Sequence, residues 1–216
     1  MRLVCLLVLF VLPLAGCSFD QPLPEKQRFI LTGTEPDAPI GSGGGGTLRI
    51  HRFRAASVFE RNALVYRTDD DLFVEDFYNE FYAQPGMLVR EITLRYLQAA
   101  GIFDVVLEPN DSRRADWLLE GRIENLYADL RDRDRPAAIV DIGFSLVDES
   151  SPDLATIFQQ RYEERIEAES DQAHDLVRAM ARGMNSIFER LAADLVETID
   201  ALREGESPSE STDPGG

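Results

Sequence analysis

Hydrophobic and polar residues follow two different periods along this chain, and each period predicts a type of element. Ala138, Val140, Ile142, Phe144 and Leu146 occupy every second position, which predicts a half-buried strand over residues 138–146. Towards the C-terminus, apolar residues recur at spacings of three and four, which predicts a long helix over residues 170–202. The chain therefore combines sheet and helix.

The same periods predict six further strands and one further helix. The strands are expected at residues 47–55, 64–68, 72–77, 102–107, 117–126 and 156–168. The helix is expected from about Met87, with Pro85 favouring its start and Gly101 closing it as a C-cap. The predicted order is β-β-β-α-β-β-β-β-α. Because each helix has one apolar stripe to bury, we expect an α+β fold with an antiparallel-rich sheet and both helices on one face.

The first 16 residues have the order of a lipoprotein signal peptide. Arg2 gives a positive start, residues 3–12 are apolar, and Leu14-Ala15-Gly16-Cys17 resembles a bacterial lipobox. The apolar run is shorter than the roughly 20 residues that a membrane-spanning helix needs. We therefore expect cleavage before Cys17 and attachment of lipid, including palmitate, to this residue. The alternative is an ordinary cleaved signal in which Cys17 is an incidental thiol.

Composition divides the rest of the chain into three parts. Residues 17–46 are rich in proline and glycine, which predicts a flexible tether in which residues 29–31 either dock on the domain or stay disordered. Residues 47–202 form the predicted folded domain. Residues 203–216 read as a disordered acidic tail.

The charge of the chain argues against two classes of partner. The sequence has 22 Lys and Arg residues, 39 Asp and Glu residues and a net charge of −17. Removal of Arg2 with the signal makes the mature chain more acidic still. Nucleic-acid binding depends on cations that neutralise phosphates, and surface binding to anionic bilayers depends on basic clusters, so the overall charge favours neither.

Residues suited to catalysis do not form any recognisable motif. Cys5 leaves with the signal and Cys17 would carry lipid, so no free thiol is expected in the domain. His51 and His174 lie in different predicted elements, and neither belongs to a metal-binding or nucleophile motif. We therefore expect no catalytic residue, no bound metal, no cofactor and no enzymatic activity.

Aromatic residues crowd the segment that leads into the first helix. The segment contains Phe73, Phe77, Tyr78, Phe81 and Tyr82, and Met87 follows it. Because aromatic side chains with polar tips favour interfaces, Tyr78, Phe81 and Tyr82 are the candidate partner-binding residues. The alternative is that this cluster forms core beneath the first helix.

Several short segments of the predicted domain resemble one known family. They are Leu64-Val65-Tyr66-Arg67, the aromatic segment running into Pro85 and the first helix, Gly101-Ile102-Phe103, Leu118-Leu119-Glu120-Gly121-Arg122-Ile123, and the long terminal helix. Together they resemble the ABC-type transport auxiliary lipoproteins, the PqiC-like partners of MCE-type lipid transport systems. Members often have Trp before the helix start, where this chain has Phe81 and Tyr82.

The resemblance implies a non-catalytic subunit that is anchored by lipid in the outer membrane and faces the periplasm. Its implied partners are an MCE-domain protein and the permease and ATPase of an ABC transporter, in a system that moves lipid between the membranes and maintains membrane integrity. Self-association into a homo-oligomer is a further option. Ser18 after the cysteine is compatible with outer-membrane sorting. The alternative function is a periplasmic lipoprotein that binds a lipid or small ligand by itself, which would need an apolar pocket between sheet and helices.

Overall fold

Residues 25–206, which the computed structural model describes, form eight strands and two helices. The strands are β1 (Gln27–Phe29), β2 (Thr47–Ala55), β3 (Ala63–Asp69), β4 (Leu72–Phe81), β5 (Val105–Leu107), β6 (Trp117–Asp129), β7 (Ala137–Asp148) and β8 (Thr156–Glu167). The helices are α1 (Pro85–Ala100) and α2 (Ala173–Glu206), and a short 3-10 helix spans Ser57–Phe59. The predicted signal, Cys17 and the last ten residues of the predicted tail lie outside the described residues.

All eight strands belong to one sheet with β6 at its centre. One edge of β6 pairs with β7 along its whole length, and β8 follows β7; both ladders are antiparallel. The other edge is shared, because β2 runs parallel to its first half and β3 runs parallel to its end. β5 extends the sheet beyond β2, and β4 and then β1 extend it beyond β3. The longest ladders are antiparallel, so the predicted α+β class is confirmed, although the parallel pairings were not predicted.

Both helices cover one face of the sheet, as the two apolar stripes predicted. α1 packs on β2 and β5, and α2 packs on β7 and β8. The rings of Tyr96 in α1 and Phe188 in α2 lie 5.5 Å apart and join the two helices. The predicted inward residues of β7 and nearly all of the apolar stripe of α2 are buried: Ala138, Val140, Ile142, Phe144, Leu146, Leu176, Val177, Met180, Met184, Ile187, Phe188, Leu191, Leu195 and Ile199. Val196, which also belongs to the predicted stripe, is half-buried.

The ends of α1 follow the predicted signals closely. Pro85 is the first helical residue, two positions before the predicted start, and Gly101 caps the C-terminus in the left-handed conformation with φ 65°. Near the start, a Cβ on Gly86 would lie 2.7 Å from the carbonyl oxygen of Phe53. Only glycine therefore lets the helix approach the edge of β2 this closely.

The described part of the predicted tether packs against the domain. β1 pairs parallel with β4, and the side chain of Leu31 is 1% exposed. Further on, the backbone N–H groups of Ile40 and Gly41 donate to the carbonyl of Ala100 at the end of α1. Helix ends leave such carbonyls without partners, and strand edges leave unpaired backbone groups, so both attract a passing chain. The folded domain therefore begins before residue 47, where its boundary was predicted. For residues 29–31, the alternative in which they dock on the domain is the one that the structure shows.

The terminal helix also runs further than predicted. α2 continues to Glu206, so residues 203–206 do not belong to the predicted disordered tail. The Arg203 guanidinium donates to the carbonyl oxygens of Gly43 and Gly44, which ties the helix end to the segment before β2. Neither helix of the described chain is long and apolar enough to cross a membrane.

Candidate partner-binding surface

Strand β4 bulges away from β3 in the middle of the aromatic segment. Glu80 lies opposite Ala63, whereas Glu75 lies opposite Val65. Residues 76–79 of β4 therefore oppose Leu64 alone. A bulge of this kind re-aims the side chains that it carries.

The side chain of Asp76 organises this bulge. Its Oδ1 accepts hydrogen bonds from the backbone N–H groups of Tyr78 at 2.7 Å and Asn79 at 3.0 Å. Its Oδ2 accepts from the Tyr66 hydroxyl and from Asn79 Nδ2, both at 2.7 Å. Burial raises the pKa of Asp76, but these hydrogen bonds outweigh burial and leave the pKa below its ordinary value. Burial and the bond to Asp76 raise the pKa of Tyr66.

The bulge displays two aromatic rings to solvent. Phe77 is 70% exposed and Tyr78 is 42% exposed, and their rings meet edge-on with centroids 5.1 Å apart. Tyr82, just beyond β4, is 66% exposed. Lys26 Nζ lies 4.9 Å from the centroid of the Phe77 ring. We call Phe77, Tyr78 and Tyr82 the aromatic surface, because all three project from one short ordered segment.

Phe81 does not belong to this surface. It is 2% exposed, and its backbone N–H donates to the carbonyl of Asn62. Its place in the predicted interface is therefore corrected: Phe81 belongs to the core, because the bulge changes which residues of β4 point inward. The interface hypothesis therefore describes the exposed residues Tyr78 and Tyr82, and the alternative of a buried core describes Phe81.

Phe73 covers a different part of the sheet. Its ring meets Tyr127 edge-on at 5.2 Å, on the face opposite the helices, which we call the outer face. Phe59 stacks on Tyr127 at 6.2 Å. These three rings cover the end of β6 on the outer face, so Tyr127 is only 7% exposed.

The rest of the outer face carries a polar groove of about 620 Å³. His51, Arg122, Gly143, Ser145 and Arg161 are among its lining residues. Several charges in the groove are paired: His51 lies 3.2 Å from Glu120, and Arg122 lies 2.8 Å from Glu124. Arg52 and Arg54 also line this groove, and neither has an ion-pair partner among residues 25–206.

Asp141 is a buried exception on this outer face. The alternating pattern of β7 predicts an exposed position, but its side chain is 0% exposed. Arg161 donates to it from Nε at 2.7 Å, and Asn125 Nδ2 donates at 2.7 Å. The carboxylate is therefore fully paired, which is the condition under which a charge tolerates burial.

The two histidines lie apart on the fold. His51 is on β2, and His174 is in the first turn of α2, 3.1 Å from Asp175. Among residues 25–206, no three His, Cys, Asp or Glu side chains gather closely enough to hold a metal ion. Between sheet and helices, where the ligand-binding alternative needs a pocket, large side chains such as Phe144 and Phe188 pack at 0–1% exposure.

The sequence pattern does not single out Phe77 as a contact residue, and it gives no role to Asp76, whose carboxylate holds the bulge. The sequence does contain a usable signal, because an Asp side chain often accepts hydrogen bonds from the backbone N–H groups two and three residues later and so stabilises a turn. Predicting the display of Phe77 would have required recognising that turn inside a strand.

Several solved structures share the fold of this chain. No family model and no curated protein matches the sequence. A protein of the DUF330 family from Xanthomonas campestris superposes with a TM-score of 0.70 at 14% identity, covering 82% of this chain and 99% of the other. An uncharacterised protein gives 0.63 at 14% identity, covering 79% and 99%, and a hypothetical protein from Chlamydia trachomatis gives 0.50 at 12%, covering 72% and 98%. At these identities the likeness establishes the fold alone: the chain folds like a DUF330 protein.

Proposed function

We propose that this protein is a lipid-anchored, non-catalytic docking subunit of an MCE-type lipid transport system, and that it binds its partner through the aromatic surface. The observation that carries the proposal is the ordered bulge that holds Phe77 and Tyr78 in solvent. Exposed aromatic rings on a fixed backbone lose little conformational entropy on binding, and such rings dominate many protein interfaces.

The chain also sets how far this surface lies from the membrane anchor. Cys17 is the proposed lipid attachment site, and Lys26 contacts the ring of Phe77. A chain of this length reaches at most about 30 Å when fully extended. The aromatic surface therefore stays close to the lipid headgroups, within reach of a transporter subunit that approaches the outer membrane.

The acidic character of the chain supports contact with protein rather than with the anionic bilayer itself. A net charge of −17 repels anionic lipid, so the lipid anchor, and not electrostatic attraction, holds the domain near the membrane. The periplasmic face of the outer membrane is the proposed location, and the MCE subunit is the proposed partner. Both follow from the family resemblance.

A pull-down with the cognate MCE subunit tests the docking surface. The variants are Phe77→Ala, Tyr78→Ala and Tyr82→Ala in the full lipidated chain. An aromatic residue at the centre of an interface contributes about 2 kcal/mol or more, so we expect at least one variant to weaken binding by about thirtyfold. Leu154→Ala is the matched control, since Leu154 is 57% exposed but lies on the turn between β7 and β8. Unchanged binding in all three aromatic variants, with native folding, would reject this surface.

The anchor is tested separately. In cells labelled with palmitate, the wild-type protein should incorporate the label and Cys17→Ala should not. The variant should appear as a soluble or uncleaved species. Label in the variant, or none in the wild type, would show that Cys17 is not the anchor.

A further inference from the structure

A second bulge, in β2, turns three polar residues towards solvent. Ile50 pairs with Leu119 and Phe53 pairs with Gly121, so His51 and Arg52 together oppose Glu120. Ile50 and Phe53 are both buried although they are three residues apart, and His51, Arg52 and Arg54 are exposed. β5 pairs only with residues 47–49 of β2, and the start of α1 lies beside the rest of that edge.

A groove of about 630 Å³ lies between this part of β2 and the start of α1. Three arginines line it: Arg52 and Arg54 from β2, and Arg90 from the second turn of α1. Glu60 is its only acidic lining residue, and Met87, which is 51% exposed, gives it an apolar wall. The groove is therefore locally cationic.

None of these three arginines forms an ion pair or a side-chain hydrogen bond with any residue in the described range 25–206. Their neighbours behave differently: Arg122 lies 2.8 Å from Glu124, and Arg95 lies 2.8 Å from Glu91. In a chain with 39 acidic and 22 basic residues, carboxylates are abundant. Three arginines that line one groove without any carboxylate partner are thus a local exception to the charge pattern of the protein.

The start of α1 adds to the positive potential of the groove. The N-cap residue Gln84 makes no side-chain capping bond, Pro85 has no N–H, and the first turn holds no acidic residue. Gly86 faces the groove at the point where the helix approaches the backbone of Phe53. An uncapped helix start carries partial positive charge, which favours an anion already attracted by the arginines.

We propose that this groove binds a phosphate group. The planar guanidinium forks of Arg match phosphate oxygens in pairs, and arginine is the usual choice for phosphate recognition without a metal. The phosphate belongs either to a phospholipid headgroup or to a soluble phosphate compound. The phosphate site rests on Arg52, Arg54 and Arg90 and not on the aromatic surface. The phosphate site and the proposed docking function can therefore fail independently.

The test follows the side-chain Nε–Hε NMR signals of the full chain in neutral detergent at fixed ionic strength. Inorganic phosphate and glycerophosphoglycerol, the chain-free headgroup of an anionic phospholipid, are titrated separately. We expect saturable shifts of the Arg52, Arg54 and Arg90 signals. Tighter binding of the glycerol diester identifies a lipid headgroup as the natural source, and tighter binding of inorganic phosphate identifies a soluble compound.

Substitutions make the test specific. Arg54→Gln and Arg90→Gln should each weaken binding by about tenfold, since each removes a charge-assisted hydrogen bond. Arg114→Gln is the matched control, because Arg114 is also exposed and also lacks an ion pair among the described residues, but it lies outside the groove. The proposal would be overturned if neither compound bound saturably. It would also be overturned if Arg114→Gln weakened binding as much as the groove variants do. Circular dichroism of each variant checks that the fold is retained.

Discussion

The carboxylate of Asp76 accepts a 2.7 Å hydrogen bond from the Tyr66 hydroxyl and so ties the bulge of β4 to the neighbouring strand β3. The same carboxylate accepts from the backbone N–H of Tyr78 at 2.7 Å. One half-buried contact with β3 thus helps to fix the backbone that displays the aromatic surface. The display of Phe77 and Tyr78 depends on a residue that never needs to touch the partner.

Replacing Asp76 should therefore loosen the aromatic surface without removing an aromatic ring. Asp76→Ala leaves the half-buried Tyr66 hydroxyl and two backbone N–H groups without their acceptor, which should cost about 1–3 kcal/mol of unfolding free energy. Partner binding should weaken as well. Urea denaturation and the MCE pull-down measure the two effects.

The matched comparison for this variant is Tyr78→Ala. It should weaken partner binding with little change in stability, because Tyr78 is 42% exposed. If Asp76→Ala has the stability and binding of the wild type, the bulge does not depend on this carboxylate.

Acid strong enough to protonate Asp76 should release the bulge. The hydrogen bonds from Tyr66 and Asn79 outweigh burial and hold the pKa of Asp76 below its ordinary value. A lowered folded-state pKa means that the stabilisation is complete above about pH 4 and is lost as the pH falls through the lower folded value. Amide NMR signals of Tyr78 and Asn79 should therefore shift in that acidic range. These shifts should be absent when Asp76→Ala is titrated in the same way. If they persist in that variant, they are caused by the protonation of another group.

The contact between the two helices should be a major source of stability. Phe188 is 0% exposed and its ring packs 5.5 Å from that of Tyr96. Truncation of a fully buried aromatic leaves a cavity, so Phe188→Ala should destabilise the protein by about 3–5 kcal/mol. Chemical denaturation gives the value. An unchanged midpoint would mean that the ring is not buried in solution.

Both histidines should be dispensable. His51 and His174 side chains are about half exposed, and each contacts a carboxylate rather than a group poised for chemistry. Single alanine substitutions should change stability by no more than about 0.5 kcal/mol and leave lipid-transport phenotypes intact. An envelope-sensitivity assay in cells provides the measurement. Loss of function with the fold retained would argue for a catalytic role and against docking.

Local periods in the sequence were enough to predict the elements whose side chains repeat at a fixed spacing. The apolar stripe of α2, the alternation in β7 and the capping glycine at Gly101 were all readable, because burial on one face of a helix or strand imposes a fixed spacing on the chain. The same spacing was sufficient to predict that both helices cover one face of the sheet.

Which aromatic residues are exposed and which are buried depends on strand pairing in the folded protein. Phe77 and Phe81 are chemically identical and lie in one strand, yet one is 70% exposed and the other 2%. Strict alternation would put both on the same face, but four residues of β4 oppose the single residue Leu64, and this offset depends on how β3 and β4 align. The docking of β1 on β4 and the burial of Asp141 likewise depend on partners far away in the sequence. The spacing of apolar residues shows which face of a helix or strand is buried, but it does not show which distant segment packs against that face.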